Sequence, residues 1–157
     1  MKNVKTGKFE KSPELAEVQV SYKIKLKDIV RVTNSREAFN ILYPLFDVNT
    51  IGLKEEFFLL LLNYGSYVLG WFKLSSGGIA GTVVDPRIIF MLALKTNACK
   101  VILCHNYPSG NAKESSADVN LTKRIKEAGK LLEIELLDHM IVCPNSSYMS
   151  MSDEGII

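Results

Sequence analysis

The sequence predicts a mixed α/β (α+β) fold in which a central β-sheet is flanked by helices. Three observations predict it. Short apolar runs of strand length alternate with segments of helical period. Each helical segment opens on a start signal: Asn34, Asp85-Pro86 or Ser115. Asn63-Tyr-Gly65, between two apolar runs, is a hairpin signal.

Residues 1–15 are polar and lysine-rich and are expected to be a flexible segment. Residues 16–157 are expected to form one domain, and the 157-residue chain is long enough to bury a core without disulfide staples. In 18–26, Val18, Val20, Tyr22, Ile24 and Leu26 alternate, which predicts a half-buried strand. Asn34, with Glu37 three residues on, starts a helix. Its apolar stripe is Ala38, Ile41, Leu42 and Leu45, and Pro44 should kink or end it. Residues 54–74 read as two strands around the hairpin, the first apolar on both faces and therefore central. Gly77-Gly78 is a break.

Asp85 and Pro86 then supply an N-cap and a first helical residue. The helix they open, through Ala98, is apolar nearly all round and is expected to be buried. Residues 99–106 form a short apolar strand ending in a loop. Residues 115–132 form an amphipathic helix with Val119, Ile125, Ala128 and Leu132 inward, and 133–142 form a last strand.

Composition excludes several classes. A net charge of +2 gives no basic field, so direct nucleic-acid binding is unsupported. Lys123, Arg124, Lys126 and Lys130 read as a solvated helix face. Three cysteines without CxxC spacing argue against a disulfide scaffold or a cysteine-built zinc site. No signal-type apolar segment is visible, and the longest apolar runs are too short to span a bilayer. A cytoplasmic protein without membrane association is expected.

The stretch 103–118, LCHNYPSGNAKESSAD, carries the chemistry. Residues i and i+2 of an extended chain point the same way, so an H-x-H at a strand end can place two imidazoles on one ion. A turn and an aspartate in the next helix can add an oxygen ligand, leaving an open position for water. Here His105, the Pro108-Ser109-Gly110 turn and Asp118 are present. Tyr107 stands at the second histidine's place. Glu55 and Glu56 open the central strand, and either could act as a general base. Ser115-x-x-Asp118 is also an ordinary helix start, and a lone His105 is commonly just a hydrogen-bonded histidine.

As an ordered set, these residues strongly resemble the RadC family, whose domain belongs to the JAB/MPN (JAMM-motif) metallopeptidase-like group. His105, Pro108, Ser115 and Asp118 match its H-x-H-P…S-x-x-D pattern, LLDH (136–139) is a further marker, and Glu55 fits the family's glutamate better than Glu56. The resemblance covers about 54–157. It implies a JAB/MPN, cytidine-deaminase-like architecture and Zn²⁺ held by two histidines and an aspartate. Ser115 would hydrogen-bond the reacting oxygen, Glu55 would be the general base, and peptide or isopeptide bonds would be hydrolysed. The implied partner is a protein or peptide.

Three departures qualify that picture. Tyr107 replaces a histidine ligand, Glu114 stands where a proline often precedes the serine, and the residues before Lys54 are expected to form a short strand-helix lead in place of the N-terminal helical region of longer RadC proteins. A phenol, with a pKa of about 10, must lose its proton to bind a metal well. Tyr107 is therefore expected to impair zinc binding and hydrolysis. Cys104 should point to the opposite face, and His139 could substitute only if its strand approaches the loop. The competing readings are a non-catalytic protein-binding module and a DNA-repair or mobile-element accessory factor.

Overall fold

The computed structural model describes residues 18, 21–23, 29–77 and 83–157. The flexible segment expected over 1–15 lies outside them, as does most of the strand expected over 18–26. The elements are α1 (Ser35–Leu42) with a 3₁₀ turn (Tyr43–Leu45), β1 (Glu56–Leu62), β2 (Val68–Ser76), α2 (Pro86–Thr96), β3 (Lys100–Asn106), α3 (Ser116–Leu132), β4 (Glu135–Val142) and β5 (Tyr148–Ser150). The sheet order is β2-β1-β3-β4-β5. Among the described strands only β3 and β4 pair in parallel, joined by α3 as crossover. This is the mixed sheet flanked by helices that the sequence predicts, and it agrees with the JAB/MPN fold.

β1 is central because it is buried on both faces along its whole length. Its two faces feed two cores. Phe58, Leu60 and Leu62 pack with Ile102, Cys104, Met140 and the α1 residues Ala38, Phe39 and Leu42. Phe57, Leu59 and Leu61 pack with Val101, Leu103, Ile89 and Ala93 of α2, and Ile125 of α3. Cys104 thus faces α1, as alternation requires, and burial pushes its thiol pKa up.

The caps behave as read. Asn34 Oδ1 accepts from Glu37 N at 2.9 Å, and Asp85 Oδ1 accepts from Arg87 N at 2.9 Å. Pro44 ends the α-helix in the 3₁₀ turn. In the hairpin it is Ser66, not Gly65, that takes the left-handed conformation, at φ 64°.

Two burial expectations fail. α2 is not buried all round: Ile89, Phe90 and Ala93 face the sheet, while Met91 and Leu94 are 59% and 56% exposed. One sheet face can cover only one side of a helix in a single outer layer. In α3 the buried stripe is Thr122, Ile125 and Gly129. Leu132 is exposed, and Val119 and Ala128 are half-buried. Gly129 permits close packing there: a Cβ on it would lie 2.2 Å from the Ile134 carbonyl oxygen. The short edge strand β5 was not foreseen.

Candidate metal centre

The candidate residues converge where β3 gives way to its loop. His105 and Phe57 are paired across β3 and β1, and their rings stack at 5.2 Å with planes 14° apart. His105 is 2% exposed. Tyr107 continues the ladder, its N–H donating to Val142 O at 2.9 Å. The chain then turns through Pro108 and Ser109. Gly110 closes the turn at φ +78°, a conformation that favours glycine, and donates to Tyr107 O at 3.1 Å.

α3 opens on a true capping box. Ser115 Oγ accepts from Asp118 N at 3.1 Å, and Ser115 N donates to Asp118 Oδ2 at 2.9 Å. The ordinary helix start and the site are therefore the same residues. Ser115 Oγ also donates to Asp118 Oδ2, at 2.6 Å, and the Tyr107 phenol gives the same oxygen a very short hydrogen bond. One carboxylate oxygen is thus crowded with donors. The other, Oδ1, lies 3.4 Å from His105 Nε2.

That 3.4 Å contact is not an ion pair. Burial pushes the His105 pKa down to about 4, against the opposing pull of Asp118's charge, so the ring is neutral near pH 7. His105 Nε2 is buried and has no hydrogen-bond partner among the described residues. Burial tends to raise the Asp118 carboxyl, but the His105 ring, charged only in the acid range where Asp118 itself titrates, and the Ser115 and Tyr107 hydrogen bonds outweigh it and hold it below the usual range. Tyr107 moves the other way. Burial first, then the bond to Asp118 and the charges of Asp118 and Glu55, push its phenol up to about 12, against the opposing Ser115 bond.

Behind His105 lies His139, fully buried on β4. His105 Nδ1 is 2.9 Å from His139 Nε2, and His139 Nδ1 is 2.6 Å from Thr122 Oγ1. His105, Asp118 and His139 each offer a ligand atom within 4.8 Å of the others, which makes them a candidate metal-binding group. Both nitrogens of His139 are already engaged, however, which makes it a support for His105 rather than a free ligand.

Glu55 is half-buried just before β1, on the Phe57 face by alternation, and close enough for its charge to act on Tyr107. Glu56 faces the other way, its Oε1 held by Lys73 at 2.8 Å and Lys54 at 3.1 Å. Asn106, the residue between His105 and Tyr107, is fully buried. Its Oδ1 accepts from Glu56 N at 2.7 Å, and its Nδ2 donates to Ile51 O at 2.7 Å and Lys54 O at 2.9 Å. It therefore ties the backbone on both sides of Glu55 to the end of β3.

Sequence reasoning missed Thr122 and Asn106 and treated His139 only as a substitute ligand. A signal for Thr122 existed: it lies one turn after Asp118, on the same face of α3.

Residues 32–156 match the RadC-like JAB domain family. The chain is 41% identical over 145 residues to a UPF0758 protein of Flavobacterium johnsoniae, covering 90% of this chain and 62% of the relative. A UPF0758 protein of Porphyromonas gingivalis is 34% identical over 146 residues, covering 91% of this chain and 63% of the relative. One of Clostridium tetani is 42% identical over 106 residues, 67% of this chain and 46% of the relative. The chain thus spans about three-fifths or less of these relatives' length. With its mixed sheet and with the motif residues gathered at the end of β3, this chain belongs to the RadC-like JAB domain family.

Proposed function

We propose that the domain is a zinc hydrolase-type JAB domain, acting on peptide or isopeptide bonds, whose metal site Tyr107 attenuates. The observation that carries this is the facing pair His105 Nε2 and Asp118 Oδ1, 3.4 Å apart, with Nε2 buried and without a hydrogen-bond partner among the described residues. Two ligand atoms each about 2.0–2.2 Å from a tetrahedral zinc lie roughly 3.3–3.5 Å apart, so the pair has the edge length of such a site. A neutral imidazole and a carboxylate are donors that zinc accepts. His105 and Asp118 would hold the ion. Tyr107 occupies the third position as a protonated phenol tied to Asp118.

Zinc, when bound, would polarise a carbonyl oxygen and acidify a water. The chain's own groups supply the rest. Glu55 would take a proton from the attacking water and pass it to the leaving amine. Ser115 would offer its hydroxyl to the developing oxyanion, once released from Asp118. The Phe57 ring keeps water off one face of His105. A protein or peptide is the partner this chemistry implies.

Zinc titration of the wild type and of Tyr107→His tests the reading. The wild type should bind one zinc with a Kd weaker than nanomolar. Tyr107→His should tighten it by more than the roughly 10–100-fold of an outer-sphere change, and fluorogenic peptide or isopeptide cleavage should rise with it. Nanomolar binding by the wild type would remove the attenuation, and no binding by either would remove the site. The Tyr107–Asp118 bond also favours a second reading, a non-catalytic protein-binding module. Zinc-loaded Tyr107→His without hydrolysis would support that reading instead. For the DNA-repair or mobile-element accessory reading, the net charge of +2 lends no support to direct duplex binding.

A further inference from the structure

We propose that Thr122 and His139 are positioning residues that fix the tautomer of His105, so that its Nε2 meets Asp118 as a bare lone pair. The argument counts hydrogens. Thr122 Oγ1 lies 2.6 Å from the Asp118 carbonyl oxygen, 2.6 Å from His139 Nδ1 and 3.3 Å from Met151 Sδ. A hydroxyl has one hydrogen to give, and a carbonyl can only accept. Once Thr122 donates to the carbonyl, its oxygen must accept from His139 Nδ1–H. A neutral imidazole carries one N–H, so His139 Nε2 is then bare and accepts from His105 Nδ1–H at 2.9 Å. His105 has no hydrogen left for Nε2.

Running the chain in the opposite direction costs more. It would place a hydrogen on His105 Nε2, aimed at Asp118 Oδ1 3.4 Å away, beyond the 2.7–3.2 Å of a good N–H···O bond. That would leave a buried donor unsatisfied. The rings cannot swing out of this arrangement. His105 is stacked on Phe57, and His139 is fully buried with its ring 5.4 Å from Phe57. The direction of three hydrogen bonds thus keeps a cation-ready lone pair at the site without any net proton change. Its purpose rests on the zinc-site reading above; the tautomer itself does not.

Two-bond ¹H–¹⁵N correlation of the histidine rings tests this on the metal-free full chain near neutral pH. The expected wild-type result is a hydrogen on Nδ1 and none on Nε2 in both rings. Thr122→Val, similar in shape but without the hydroxyl, should move the hydrogens to Nε2 and weaken zinc binding about 10–100-fold. Thr122→Ser should restore both, and Met151→Leu should change neither. A wild-type His105 protonated at Nε2, or a Thr122→Val spectrum with unmoved tautomers, overturns the inference. The wild-type spectrum decides the tautomer even where a variant fails to fold. The correct tautomer without zinc affinity would sink the zinc reading alone, and zinc affinity with the wrong tautomer would sink this inference alone.

Discussion

Asp118 spends one carboxylate oxygen on three donors and keeps the other for His105. The Tyr107 bond helps hold the Asp118 carboxyl below its usual range. Tyr107→Phe should therefore raise the Asp118 pKa, read by carbon NMR of its carboxylate; an unmoved value would mean the phenol does not act on it. Asn106 is a second residue whose weight shows only in its partners. Asn106→Ala would strand the Glu56 N–H and two carbonyls, and each buried polar group left unpaired costs about 1–3 kcal/mol. Chemical denaturation should show a loss of at least about 2 kcal/mol. His105, Asp118 and the pair Glu55 and Glu56 could be proposed from residue type and spacing, and the family resemblance alone favoured Glu55. Asn106 could not, because an asparagine at the last residue of a predicted strand shows no partners until β1 and the segment before it are placed alongside.

Among the elements, α3 carries the sharpest constraint. Alanine is a better helix former than glycine by about 1 kcal/mol. Gly129→Ala should nonetheless destabilise by more than about 2 kcal/mol, because its methyl would meet the Ile134 carbonyl at 2.2 Å. A melting temperature equal to or above the wild type's would contradict this. α2 separates its two faces in the same way. Ile89→Ala should cost about 2–5 kcal/mol, since Ile89 is fully buried. Met91→Lys, on the exposed face, should stay within about 0.5 kcal/mol. The apolar sequence of α2 hid this asymmetry. Hydrophobicity all round predicts burial all round, but only packing shows which side the sheet covers.

For the molecule as a whole, the two buried histidines set an acid limit. The His105 pKa falls to about 4 in the fold, against about 6.5 in an unfolded chain. His139 is lowered too, by burial and by the neighbouring His105. As pH falls, the unfolded chain takes up these protons first. Stability is therefore full above about pH 6.5 and is lost as pH drops toward 4, by up to about 1.4 kcal/mol per pH unit for each histidine. Asp118, also depressed, extends the loss to lower pH, while Asp138, raised by burial, opposes it. Melting temperatures should fall steadily between pH 7 and 4.5, and His139→Gln should flatten that slope. A flat profile in the wild type would show that these rings are solvated. No helix among the described residues is long and apolar enough to cross a membrane.

Local chemistry was enough to read the hairpin, the caps, the central strand and the face shared by His105 and Tyr107, because each depends on neighbours a few residues away. The position of His139 depended on more. Strict alternation from Leu136, which packs toward α2 and α3, would turn His139 toward α1. A bulge in the β3–β4 ladder, between the pairs Val101↔Leu136 and Ile102↔Asp138, inserts one extra residue and reverses that parity. Asp138, paired with Ile102, then joins Leu137 on the α1 side, and His139 comes round beside His105 and Thr122. A bulge is a property of two paired strands. Neither strand's sequence contains it alone, so the support behind His105 appears only once β3, β4 and α3 are packed together.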